Sequence, residues 1–155
     1  MEWLKPLNIY EVLSLAIAVI VVIIASRLSS KIESLKAYFF KEFQAYEYLW
    51  PRTFELQENI RNEEIDKIEK SLYEVRETYK NNYPFIDKNI RSMVREVINL
   101  ALKIEIQFKD PQRDRKSVQD NICGDKETLS HVVDNIADLI SQRSQGKVKT
   151  KIKKS

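Results

Sequence analysis

The sequence predicts an all-α protein: a single N-terminal transmembrane helix continues into a stalk and is followed by a small cytoplasmic bundle of about four helices. Residues 9–28 are almost entirely apolar, and later segments repeat apolar side chains every three or four positions. The 155 residues include only two glycines and four prolines. The apolar segment suits a membrane span, and so few turn-forming residues argue against a sheet.

The apolar segment is interpreted as a membrane span rather than a signal peptide or a buried core helix. Between Val12 and Ala25 only Ser14 is polar. A signal peptide would start with basic residues and end at a small-residue cleavage site, but Glu2 and Glu11 stand where positive charge is expected. A small soluble domain has too little chain to cover a helix that is apolar on all sides. We therefore expect a span over residues 9–28.

The charges on either side of the span predict its orientation. Only Lys5 precedes it, whereas Arg27, Lys31, Lys36 and Lys41 follow it closely. Because positive residues near a span stay on the cytoplasmic side, residues 1–8 are expected outside and residues 29–143 in the cytoplasm. This is the topology of a single-pass protein of the cell inner (plasma) membrane. A lone cysteine, which cannot form an intramolecular disulfide, fits the reducing compartment.

The stalk is predicted to run without interruption from the span to Trp50, because neither proline nor glycine occurs between Asn8 and Trp50. Pro51 is expected to end it. Apolar side chains three and four positions apart form one stripe along the stalk: Ile32, Leu35, Phe39, Phe43, Tyr46 and Trp50. The favoured interpretation is that this stripe packs against the other helices. A groove for a partner, or a contact with the lipid surface, remains the alternative.

Three further helices are predicted from apolar periodicity. The second covers about residues 51–80, with a seam at Ile65, Ile68, Leu72, Val75 and Tyr79. The third covers about residues 84–109 and is expected in the middle of the bundle, since its apolar stripe is wide: Ile86, Ile90, Val94, Val97, Ile98, Ala101, Leu102, Ile104, Ile106 and Phe108. The last is expected from Asp125, as N-cap, to Arg143, with Leu129, Val132, Val133, Ile136 and Ile140 inward.

The C-terminal residues 144–155 form a basic tail that is predicted to be disordered. It contains Lys147, Lys149, Lys151, Lys153 and Lys154. In a protein already held at a membrane, such a tail is expected to contact anionic lipid headgroups of the inner leaflet. A solvated tail without a role remains the alternative. Nucleic acid is not expected as a partner, because the tail lacks interleaved aromatic residues that could stack on bases.

No catalytic or cofactor-binding pattern is found in the sequence, so we expect neither enzyme activity nor a bound cofactor or metal. Cys123 and His131 are the only residues that could form a cysteine–histidine nucleophile pair, and no third residue that would orient them is found. A row of potential metal ligands, Glu127, His131, Asp134 and Asp138, lies opposite the apolar face of the last helix. That position predicts a solvent-exposed face rather than a metal site.

The expected function is therefore that of a membrane-anchored, non-catalytic interaction, scaffold or regulatory module. It would bind a protein partner or another copy of itself. The alternative is a small membrane-active effector, such as a toxin, holin-like or defence protein, that oligomerises in the bilayer. The candidate residues for partner binding or self-association are Phe39, Phe43, Tyr46, Trp50, Ile65, Ile68, Leu72 and Val75.

Overall fold

The computed structural model describes residues 9–111 and 115–145, with side chains from residue 14 onward. Every regular element in these ranges is a helix, which confirms the all-α prediction. The elements are α1 (Ile9–Arg61), α2 (Ile65–Asn82), a 3₁₀ helix (Tyr83–Phe85), α3 (Lys88–Phe108) and α4 (Lys116–Ser144). Residues 1–8 and the predicted lysine tail lie outside the described residues.

The chain divides into two compact units, residues 1–40 and 41–155. In the first unit, the apolar side chains of α1 from Leu15 to Phe40 are all exposed. Among the described residues, one helix, between Ser14 and Arg61, is long and apolar enough to span a membrane. Its most apolar window has a mean hydropathy of 2.1, and none of that window is buried. The candidate span therefore lies near the N-terminus, as predicted.

The predicted break at Pro51 is wrong, because α1 continues through this proline to Arg61. Proline has no N–H, so the carbonyl four residues before it loses its helical donor. In the adjacent position, Arg52 Nη1 donates to the Tyr48 carbonyl oxygen at 2.8 Å and supports the weakened turn. Leu49 and Leu56, on either side of the proline, are both buried in the core. Tertiary packing thus outweighs the local cost of proline.

The turn that separates α1 from α2 is built without glycine. Glu63 has a φ of 57°, in the left-handed region. The Glu63 N–H donates to the Ile60 carbonyl oxygen at 3.2 Å, and the Glu64 N–H donates to the Asn59 carbonyl oxygen at 3.0 Å. These two bonds form a Schellman motif, which usually has glycine at the left-handed position. Because glutamate occupies it here, no local residue signal predicts this helix end.

The second unit contains one apolar core to which all four helices contribute. The α3 helix packs against both α2 and α4, as expected for the middle helix. Ile106 is an exception to its predicted stripe, since the side chain is 69% exposed. The buried apolar residues of α3 are Ile90, Val94, Val97, Ala101, Ile104 and Phe108, and those of α1 are Ala45, Tyr46, Leu49, Leu56 and Ile60.

The last helix begins at Lys116, nine residues before the predicted N-cap. Asp125 is therefore not a cap and lies inside α4. Its carboxylate accepts hydrogen bonds from Lys103 Nζ at 2.8 Å and from Gln107 Nε2 at 3.1 Å, both on α3. Ile122 is buried against the core, which explains why a mostly polar segment is helical. The α3–α4 contact extends the helix beyond what its local pattern predicted.

Candidate interaction surfaces

Four of the eight predicted interaction residues lie in the core of the second unit. Tyr46, Ile68, Leu72 and Val75 are buried, and Ile65 is half-buried against the same core. In one folded copy these side chains contact other helices of the chain and are not accessible to a partner. Periodicity alone could not show this, because a seam has the same spacing whether it packs within one chain or between two.

The outer side of α1 in the second unit presents an exposed row of aromatic residues, Phe43, Trp50 and Phe54, here called the aromatic row. Phe43 and Phe54 are 48% and 49% exposed, and Trp50 is half-buried. The ring centroids of Trp50 and Phe54 are 6.3 Å apart. Spacings of seven and four residues place all three on one face of the helix. Phe54 lies beyond Pro51, where the sequence predicts the end of the helix, so the predicted stripe does not include it.

The first unit presents a second exposed surface, the apolar stripe formed by Leu28, Ile32, Leu35 and Phe39. These residues are four, three and four positions apart on α1, so they share one face. All four are at least half exposed, and Phe39 reaches 60%. Tyr38, beside the stripe, packs edge-to-face on Phe39 with ring centroids 6.3 Å apart.

A partly buried polar cluster joins α1, the start of α3 and the end of α4. Arg143 donates to the carboxylates of both Glu42 and Asp87. The Tyr46 hydroxyl donates to Glu42 Oε1 at 2.7 Å and accepts a hydrogen bond from the Asp87 N–H at 3.0 Å. Burial and the hydrogen bond to Glu42 raise the pKa of Tyr46. Each buried charge has a charged partner, which is the arrangement that makes burial of Glu42 tolerable.

A second polar cluster, of arginine and tyrosine, lies on the surface between α2 and α3. The guanidinium carbon of Arg91 is 4.6 Å from the ring centroid of Tyr83, and that of Arg95 is 5.7 Å from the same ring. Arg95 Nε also donates to the Tyr79 hydroxyl at 3.0 Å. The hydrogen bond from Arg91 lowers the pKa of Tyr83. These contacts tie the end of α2 to the first turns of α3.

The residues considered for catalysis or metal binding lie on the solvent side of α4. The potential metal ligands Glu127, His131, Asp134 and Asp138 are all exposed. No group of three or more His, Cys, Asp or Glu side chains suited to a metal ion occurs in residues 9–111 and 115–145. Cys123 is also exposed, beside a surface cleft of about 310 Å³. Lys126 Nζ lies 3.0 Å from Glu63 Oε1 at this cleft.

Comparisons of the chain with protein-family models, with curated proteins and with solved structures gave no match. An assignment of function must therefore be argued from the chain's own surfaces. Two of them are apolar and exposed: the aromatic row and the apolar stripe.

Proposed function

We propose that this protein is a membrane-anchored, non-catalytic interaction module. Residues 9–28 would cross the cell inner (plasma) membrane, and the second unit would act in the cytoplasm. The observation that carries the proposal is a contrast between the two units. The second unit covers its own core within one copy, whereas the apolar side chains of α1 from Leu15 to Leu28 are all exposed. Lipid is the environment that accepts a helix that is apolar on every side.

The proposed orientation rests on the charges that follow the apolar segment. Arg27 lies at the end of the segment, and Lys31 and Lys36 follow within the next eight residues. Positive residues in this position are retained on the cytoplasmic side during insertion. The lysine tail, Lys147 to Lys154, would then meet the anionic inner leaflet, with about 1 kcal/mol of attraction for each lysine near the surface.

The protein partner is proposed to bind at the aromatic row. Interfaces are enriched in aromatic residues, which bury a large area at a small cost in side-chain entropy. Phe43 and Phe54 are about half exposed, although the core of the second unit lies beside them. The aromatic row thus offers a partner exposed apolar area on a helix that the core already holds in place.

The topology can be tested with the native cysteine, because Cys123 is the only cysteine in the chain and is exposed. A membrane-impermeant maleimide should label Cys123 in permeabilised cells and leave it unlabelled in intact cells. A Glu2→Cys, Cys123→Ser variant should show labelling in intact cells. Labelling of Cys123 in intact cells would contradict the cytoplasmic placement, and recovery of the protein in the soluble fraction would contradict the span.

The interaction role can be tested by crosslinking and affinity capture from gently solubilised membranes. A Phe43→Ser, Phe54→Ser variant should lose a partner that the unaltered chain captures. Tyr73→Ser is the matched control, because Tyr73 is an exposed aromatic residue on a different helix, α2. Exchange of residues 1–28 for an unrelated span should preserve capture. If the native chain depolarises its host and the exchange of residues 1–28 abolishes this depolarisation, the protein is a membrane-active effector instead.

A further inference from the structure

We propose that the apolar stripe of α1, formed by Leu28, Ile32, Leu35 and Phe39, pairs with the same stripe of a second copy as a parallel coiled coil. This inference rests on the proposed membrane anchoring. Copies inserted in one bilayer share one orientation, so their α1 helices run parallel. An identical stripe on each helix can then form a two-fold symmetric interface in which each residue meets its own counterpart.

The spacing and chemistry of the stripe fit a two-stranded coiled coil. Spacings of four, three and four residues assign Leu28 and Leu35 to d positions, and Ile32 and Phe39 to a positions. Isoleucine at a and leucine at d favour two strands. All four side chains are exposed in the isolated chain. They lie at or beyond the end of the proposed span. There the hydrophobic effect of water drives apolar side chains together, a driving force that is absent within lipid.

The same helix face continues into the apolar segment with small residues. Ser14, Ala18 and Ala25 follow the heptad spacing that leads to Leu28, with Val21 between them. Within lipid, helices associate through close packing at small residues. The face therefore carries small side chains where the helix would meet lipid and large apolar ones where it would meet water.

The area of the stripe is sufficient for a specific contact. Its four side chains together expose on the order of 400 Å² in each copy, which is the size of the largest apolar patch on a typical monomer, a patch that is often functional. Two copies joined through the stripe and the adjoining small residues would bury on the order of 1,000 Å², which meets the lower limit for a specific interface.

One pair of charges opposes this arrangement and makes it testable. Lys31 and Lys36 occupy the g and e positions that flank the stripe. In a parallel pair, Lys36 of one copy lies opposite Lys31 of the other, and like charges at these positions weaken pairing. The dimer is consequently expected to be reversible. A Lys36→Glu substitution should strengthen it several-fold, whereas Lys36→Arg should leave it unchanged.

The face of contact can be tested by disulfide crosslinking of the full chain in lipid vesicles. On a Cys123→Ser background, single cysteines are placed in the stripe (Ile32→Cys, Leu35→Cys) or on the opposite face (Ser30→Cys, Ser34→Cys). Mild oxidation should yield several-fold more dimer from the stripe positions, because their counterparts lie within disulfide reach. Equal crosslinking on both faces, a preference for the opposite face, or no dimer at any position would overturn the proposal.

The Lys36 variants provide a second readout, by energy transfer between labelled copies in the same vesicles. Unchanged or weaker association of Lys36→Glu would overturn the parallel register. Membrane recovery of each variant is measured in parallel. A chain that fails to enter vesicles refutes the anchoring itself, whereas an inserted chain without face-dependent crosslinks refutes only the pairing.

Discussion

The guanidinium of Arg143 donates to the carboxylate of Glu42, although the two residues are 101 positions apart in the chain. The Glu42 side chain is only 6% exposed, so Arg143 and the Tyr46 hydroxyl supply the polar contacts that water would otherwise make with its carboxylate. Arg143 also pairs with Asp87, the N-cap of α3. One side chain near the end of α4 therefore links three helices of the second unit.

Removal of Arg143 should destabilise the second unit strongly. We expect Arg143→Met to lower the free energy of unfolding by about 3 kcal/mol, because a buried carboxylate is left without its charged partner. Unfolding by urea can be followed in detergent through the fluorescence of Trp50, which packs against the core. The double variant Glu42→Gln, Arg143→Met should recover part of the loss. If the two single losses simply add, the residues are not coupled.

Tyr46 should make the second unit sensitive to alkaline pH. Its pKa is raised in the folded protein above the ordinary value of 10.0. The stabilisation by the protonated hydroxyl is therefore complete below about pH 10 and is lost as the pH rises toward the folded pKa. Tyr46→Phe should be less stable at neutral pH, by about 1 to 3 kcal/mol, since it leaves the Asp87 N–H without its acceptor and removes one hydrogen bond to Glu42. Its stability should also fall less steeply above pH 10.

Tyr73→Phe is the control for this measurement, because Tyr73 is exposed. It should keep both the neutral-pH stability and the alkaline slope of the unaltered chain. If stability above pH 10 falls equally steeply in the Tyr46→Phe variant and in the unaltered chain, the Tyr46 hydroxyl does not govern the alkaline loss of stability.

Gly124 allows the start of α4 to be tested. It lies inside the helix, and a Cβ atom built on it would meet nothing within 4 Å. Gly124→Ala should raise the free energy of unfolding by about 0.5 to 1 kcal/mol, because alanine is the better helix former. Gly124→Pro should lower it by about 3 kcal/mol. If the helix instead began at Asp125, the proline would precede the cap and be tolerated, which thermal unfolding by circular dichroism distinguishes.

The left-handed backbone at Glu63 should favour glycine. Glu63→Gly and Glu63→Val both remove the carboxylate that lies 3.0 Å from Lys126 Nζ, so the difference between them isolates the backbone effect. We expect the glycine variant to be more stable than the valine variant by at least about 1 kcal/mol, because a Cβ atom is costly in this conformation. Equal denaturation midpoints would show that the Schellman turn is not formed.

The helices were predictable where one apolar face dominates the local sequence. Val94, Val97 and Ile104 of α3 are buried as their spacing indicated, and Val75 of α2 likewise. In such segments the residues that give the local periodicity are also the ones that pack in the core, so the sequence pattern alone predicts which residues are buried.

Helix boundaries and the polar contacts were not predictable in the same way. Pro51 and Gly124 are local signals for interruption, yet tertiary contacts of Leu56 and Ile122 keep both segments helical. The α1 residues that face its neighbours include Gln57, whose Nε2 donates to Ser130 Oγ at 3.0 Å. A polar residue that is buried by a distant partner has no signature in its own segment, so neither this contact nor the Arg143 cluster could be read from spacing.

The position of Arg143 also affects how the protein is made. During synthesis, the α1 portion of the core leaves the ribosome before any of the helices that cover it, and the partner of Glu42 comes 101 residues later. The second unit therefore closes only after Arg143 has been synthesised. A product truncated before Arg143 would keep the Glu42 carboxylate without its guanidinium and the adjoining apolar surface of α1 open. Such fragments are expected to be substrates for cellular proteases, so that chains that include Arg143 accumulate selectively.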